Sequence, residues 1–403
     1  MDYTAYGSHS ARRRAGRGNA AVRKFALLMI FPLVVFPAVA KRVTVAQLEQ
    51  VLVIASAAHK SDAEMVRQID AMDLSERLTG TTLDRLTAQL ALGAQAALAL
   101  RLLADQSAFL NPPNSELLPT AAPDDAAQQR MLDAARNYVT QTLTRLPNFL
   151  ATRTTNRYDD TPKAINGNEW PVRAGLHLVD SSSREISSRD EQDMHASAKG
   201  SAFWQPQGGM VSGGEFGTTL GMILTDTVKG KVTWDHWERT AAGAAGVFHY
   251  SVPKAASHYE VIGLQKPPKS LGAAGTPNGV SRGTSGSARG GASNASLVRV
   301  TPGYHGSLWL EPATGTILRV TVEADGKDQG PFRRADILVQ YGPVQIGGSR
   351  FICPLRSIAL SEAFLAAGDL AGEEPTQWLN ETLFTSYHRF GSSVRLLKDT
   401  ATQ

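Results

Sequence analysis

Trp234-Asp235-His236-Trp237-Glu238 brings an imidazole and two carboxylates together within five residues. Residues of these types can ligate a metal or pass a proton. The surrounding sequence reads as a strand. Alternation then puts His236 and Glu238 on the face of Trp234 and turns Asp235 and Trp237 to the other face. Two ligands do not close a metal site, and His249, His258 and His305 lack helical or tight-knuckle spacing. The run is therefore read as a half-buried strand, with no metal assigned. "SGGEFGTTLG" (212–221) is glycine-rich ahead of a helix and has the look of an anion cradle. It lacks the lysine of a phosphate-binding loop and follows no clear strand. There is no G-x-S-x-G elbow, and "SREISSRDEQD" (183–193) reads as a solvated strand end. Cys353, the sole cysteine, lies in the strand-like "RFICPLR", where it reads as a small buried hydrophobe without a positioned base. No catalytic residue is assigned and no cofactor is implied.

The elements around these residues are mostly strands. In "GSLWLEPATGTILRVTVEAD" (306–325), Leu308 and Leu310 share a face of one arm, and Leu318, Val320 and Val322 share a face of the next. Pro312-Ala313-Thr314-Gly315 supplies turn chemistry between them. Trp309, Arg319, Thr321 and Glu323 fall on the opposite face. Further strands are read at "FLATRTTNRYDD", "LHLVDSSSREISS" (one or two), "KVTWDHWER", "GVFHYSVP", "HYEVIGL", "SLVRVTPG", "ADILVQYGPVQIGG", "SRFICPLRSIALSE" and "TLFTSYHRFGSSVRLL". Their short connections imply antiparallel neighbours. Helices are expected over 125–146, capped by Asp124 or Asp125, and over 215–228. The stretch 361–381 reads as a helix-rich surface excursion.

The 403 residues divide by composition. Residues 1–40 hold six basic groups and one acid, then "FALLMIFPLVVFPAVA", ending in Ala38-Val39-Ala40. This reads as an export signal cut after Ala40, with a retained anchor as the alternative, because the run is shorter than the roughly 20 residues that span a bilayer. The formal charge of +4 comes from this leader. Without it the balance is near zero, which argues against a nucleic-acid surface. Residues 41–110 read as short helices in a small module, with Thr44 and Ser61-x-x-Glu64 as caps. The Pro-rich stretch 111–124 reads as a linker and 125–403 as the main domain. Within it, 265–295 is a Gly/Ser/Ala/Pro insertion too poor in large apolar groups to order itself.

The helix leading into "LPNFLATRTTNRY", the "LWLEPATGTILRVTVEADG" hairpin and "ADILVQYGPVQIGGSRFICPLRSIAL" together resemble the LolA/LolB/RseB-like periplasmic lipoprotein-carrier and sensor superfamily, over about 125–400. The resemblance implies an α+β fold in which an open antiparallel half-barrel wraps helices and holds acyl chains in the hollow. On this reading Trp234, Phe248, Tyr250, Trp309, Tyr341 and Phe351 are the candidates to line the hollow. Plain core is their other reading. The expectation is an exported, periplasmic, non-catalytic protein binding a lipid or lipoprotein acyl chain. The rival expectation is an envelope interaction module with a filled core, whose partner docks through 41–110.

Overall fold

The computed structural model describes residues 41–142, 146–161, 175–187, 209–210, 213–240, 243–265, 296–326, 332–363 and 375–390. The leader read at 1–40 and nearly all of the insertion read at 265–295 lie outside the described residues.

Among the described residues the first element is β1 (Lys41–Val43), followed by α1 (Val45–Ala57), α2 (Asp62–Asp70), β2 (Met72–Leu74), α3 (Gly80–Leu90) and α4 (Ala94–Gln106). Thr44 with Gln47, and Ser61 with Glu64, form complete capping boxes at the starts of α1 and α2. Leu48, Leu52, Met65, Ile69, Leu86 and Leu100 fill the space between the helices. The parallel pairing of β1 with β2 is an addition to the all-helical expectation. Next comes α5 (Asp125–Thr142), where Asp124 Oδ1 accepts the Ala127 N–H at 2.7 Å as an N-cap.

The strands are β3 (Phe149–Asp159), β4 (His177–Ser187), β5 (Lys231–Thr240), β6 (Gly243–Val252), β7 (Val261–Gln265), β8 (Ser296–Val300), β9 (Tyr304–Leu310), β10 (Ile317–Ala324), β11 (Phe332–Ile346), β12 (Ser349–Ala363) and β13 (Thr376–Arg389). Among the described residues, one helix, α6 (Thr218–Asp226), stands between β4 and β5. Nine strands form an antiparallel sheet in the order β4-β3-β13-β12-β11-β10-β9-β6-β5, which does not close, while β7 and β8 pair separately. The fold is therefore α+β. Gly347 and Gly348 join β11 to β12 with φ of 58° and 85°, as a two-residue turn with positive φ at both positions demands.

One sheet face carries Phe248, Leu308, Leu310, Val320, Val322, Val339 and Ala359, covered by Met131, Ala135 and Val139 of α5 and by Leu220 and Ile223 of α6. This is the cover that the 306–325 hairpin requires. Its turn touches α5 directly: Gly315 has φ 71°, and a Cβ there would sit 2.2 Å from the Ala134 carbonyl carbon. The opposite face meets the helical module, where Leu102 and Ala108 pack on Tyr158, Leu338, Ile358, Leu360 and Leu379. The module and the sheet belong to one compact unit. The Pro-rich stretch read as a linker lies against β5, with the Leu118 N–H donating to Trp237 O at 3.2 Å and Trp237 Nε1 to Ala121 O at 2.9 Å.

Three expectations are corrected. A β-bulge between Trp234 and His236 breaks the alternation, so Trp234 and Trp237 sit together on the α5 side with ring centroids 4.8 Å apart, while His236 and Glu238 take the other side. A second bulge, between Ile317 and Arg319, puts Ile317 in the main core and sends Leu318 to a small cluster with Ala245, Val247 and Trp309. Ile317→Ala should accordingly cost about 2–4 kcal/mol and Leu318→Ala about 1 kcal/mol or less, read from urea unfolding midpoints; equal losses would contradict the bulge. Finally, the excursion expected at 361–381 is strand at both ends. Ser361, Glu362 and Ala363 pair with Trp378, Gln377 and Thr376, which leaves only 364–374 outside the described residues. At 361–363 and 376–381 cross-strand pairing takes the place of the surface excursion expected there.

Candidate functional site

Charged groups flank the apolar contact between the module and the sheet. From the hairpin, Trp309 and Arg319 face the module as alternation requires. Arg77, in the loop after β2, reaches the same place. The Trp309 ring has the Arg319 guanidinium 4.5 Å from its centroid and that of Arg77 at 5.3 Å, both in cation–π range. Trp309 Nε1 donates to Glu238 Oε2 at 2.9 Å, Arg77 pairs with that same oxygen, and His236 Nε2 lies 3.2 Å from it. On the other ring nitrogen, His236 Nδ1 is 3.1 Å from Asp235 Oδ2. Burial works against a charge on Glu238, but the His236 hydrogen bond, the Arg77 charge and the Trp309 N–H bring its pKa down to about 2. Arg319 donates to the Ala108 carbonyl. Its own pKa falls to about 9, through burial first and the nearby Arg77 charge second.

A second group of charges ties α4 to β12 and β13. Arg356 bridges Asp105 and Glu381, Arg101 reaches Glu381, and Asn156 Nδ2 donates to Glu381 Oε2 at 3.3 Å. Against the cost of burial, these cations lower the Glu381 pKa and the two carboxylates raise that of Arg356. What this arrangement can do chemically is clamp. Glu238 and Glu381 are held ionised by cations and hydrogen-bond donors from the module and from the sheet, whereas burial raises the Asp105 pKa against the pull of Arg356, and the pairs that cross the junction tie the module to the sheet.

The cleft at this junction is lined by Arg77, Phe109, Pro112, His236, Trp309 and Glu323 among others, and its cavity volume is about 20 Å³. A second, beside Asp70 and Leu102, holds about 30 Å³. Volumes of this size admit a water or two, whereas ligand pockets run to roughly 300–1,000 Å³.

The six aromatics picked from the sequence are split among three places. Phe248, Tyr250 and Tyr341 are buried in the main core, and Trp234 packs on it edge-on to Phe248 at 5.2 Å. Tyr250 and Tyr341 spend their hydroxyls on the Thr321 and Glu215 backbone carbonyls. Trp309 belongs to the opposite face. Phe351 packs at the far end of the sheet against a cluster containing Phe149, Cys353 and Phe384. Burial there pushes the Cys353 thiol up to about 12. Among the described residues, no three His, Cys, Asp or Glu side chains gather as metal ligands.

Alternation in the hairpin places Arg319 and Glu323 on its polar face without assigning them a role, and sequence reasoning misses Arg77, Arg101, Asp105, Arg356 and Glu381 altogether. Arg77 and Glu238 stand 161 positions apart, and nothing local in either neighbourhood announces the other.

An open nine-stranded antiparallel sheet with helices on both faces, cemented on one by ion pairs, defines the class of structure. No family model, curated protein or solved structure matches the chain.

Proposed function

We propose that this chain is an exported, non-catalytic interaction module of the cell envelope, with a filled core and a helical subdomain locked to its sheet. The observation that carries the reading is the fate of Phe248, Tyr250 and Tyr341. Their rings and hydroxyls are committed to protein partners in the space an acyl chain would need. A buried ion-pair layer is also a poor contributor to net stability, because desolvation offsets most of the attraction. Its use is specificity of arrangement, which suits a scaffold that must present one surface to a protein partner. The outward side of α1 offers Val53 and Ile54, both exposed, for such a contact.

A lipid-carrier reading has one observation in its favour: α5 and α6 lie together on the apolar face of a sheet that does not close. On that reading the sheet wraps them as a half-barrel, and a lipid or lipoprotein acyl chain enters when the helices part. Native mass spectrometry separates the two, since a filled core predicts the bare chain mass and a carrier predicts added lipid.

A further inference from the structure

The nine-stranded sheet ends in two unlike edges. At one, the Pro-rich segment lies along β5: Leu117 bridges to Glu238, and the Leu118 N–H donates to Trp237 O. At the other, β4 pairs with β3 alone among the described residues. This strand is 11 residues long and carries neither proline nor lysine, the residues that ordinarily blunt an edge. Ser181, Ser182, Ser183 and Glu185 are exposed, and Leu178 and Val179 are 52% and 46% exposed. The strand is nonetheless firmly seated. Its one bulge falls at Val179, and from Asp180 to Ser187 its register with β3 is unbroken. Ser183 Oγ is 3.0 Å from Thr154 Oγ1, and Ser181 Oγ donates to Asn156 Oδ1 at 2.8 Å. A regular edge held in this way offers its outward backbone donors and acceptors to another strand.

We propose that the outer edge of β4 binds β4 of a second copy of this chain, antiparallel about a two-fold axis at Ser182, so that two nine-stranded sheets continue into one. The charges of the strand select this partner and this register. Asp180 and Arg184 lie two residues to either side of Ser182, so the axis sets each Asp180 opposite Arg184 of the other copy, twice, with serines between. A two-fold axis between antiparallel strands falls at a residue, which limits the alternatives. An axis at Asp180, Arg184 or Glu185 would set a like charge against itself, and one at Ser181 or Ser183 would leave Asp180 and Arg184 opposite uncharged residues. Asp180 meets Arg157 at 3.9 Å, the limit of an ion pair, and its side chain is 41% exposed, so it can accept a second cation. Leu178 and Val179 of each copy come against 185–187 of the other, which withdraws apolar surface from water. Because the β5 edge is occupied, the pairing closes at two copies instead of extending into a fibre. It goes beyond the interaction reading above and stands whether the core is filled or holds a ligand.

Sedimentation velocity of the full chain over a concentration series tests the pairing. The parent chain should pass reversibly between monomer and dimer. Asp180→Arg and Arg184→Asp should each raise the dissociation constant about tenfold or more by setting like charges opposite one another. The two substitutions in one chain should return it towards the parent value, and an equimolar mixture of the two single variants should dimerise where neither does alone. A parent chain that stays monomeric throughout, as it would if another segment of the same chain covered the edge, would overturn the proposal. So would a dimer that the single variants leave unchanged, the result expected of a contact through Val53 and Ile54 of α1. If the single variants fail to fold, hydrogen exchange on the parent chain decides: protection of the β4 amides should rise with chain concentration, and protection independent of concentration would overturn the pairing.

Discussion

Phe248→Ala should lower the stability of the chain by about 3–5 kcal/mol. The ring is 1% exposed, opposite Leu308 in the β6–β9 register and edge-on to Trp234. Truncation removes an aromatic side chain from close-packed surroundings and leaves a void that strand backbones cannot collapse to fill. If Phe248 lined an open hollow, most of its surface would already face a lipid or solvent, and the loss would be about 1 kcal/mol or less. Urea unfolding distinguishes these, with a displaced midpoint and an unchanged slope marking a pure stability change. A small loss would return Phe248 to the role the resemblance first suggested for it.

Arg77→Met should cost a similar amount, about 3–5 kcal/mol, by leaving the Glu238 carboxylate buried without its cation. The Arg77 side chain is 3% exposed, so the pair is shielded from salt and the loss should persist at high ionic strength. Glu238 has a depressed pKa, so the stability it contributes is present above its ordinary value of 4.5 and is lost as pH falls towards about 2. Without Arg77 that acid limb should move up towards ordinary carboxylate values. Arg77→Met combined with Glu238→Gln should recover much of the loss, since a neutral amide can still accept the Trp309 N–H. Unfolding of the two single variants and the double variant across pH measures this coupling. A Arg77→Met loss below about 1 kcal/mol would mean that the clamp is ornamental.

Much of the scaffold can be read from the chain because its signals are local. Capping residues lie three positions apart, the apolar stripe of α5 repeats within its own length, and the 306–325 hairpin brings its own turn. Antiparallel pairing of consecutive strands such as β5 with β6 and β9 through β12 follows from short connections, whereas β13 beside β3 and β9 beside β6 do not. The two bulges are not local in this sense. They arise where strand twist and neighbouring registers disagree, and each moves one residue, so a parity argument that is right at Leu308 and Val320 is wrong at Leu318 and Trp237. The site shows the same divide. Trp309, Arg319 and Glu323 share a polar face that alternation reveals, but their partners arrive from a loop after β2, from the segment after α4, from β5 and from β11. Aromatic residues carry a further ambiguity, because a lined hollow and a packed core ask for the same types on the same face. Tyr250 and Tyr341 are told apart from ligand-facing tyrosines only by what their hydroxyls touch.

Native mass spectrometry of the protein, expressed from the full 403-residue sequence and purified without strong detergent, bears most directly on whether this core is filled. A filled core gives a single species at the mass of the bare chain, unchanged by extraction with organic solvent. A population carrying added mass that organic solvent removes, and that Phe248→Ala alters, would contradict it and establish a lipid between α5, α6 and the sheet.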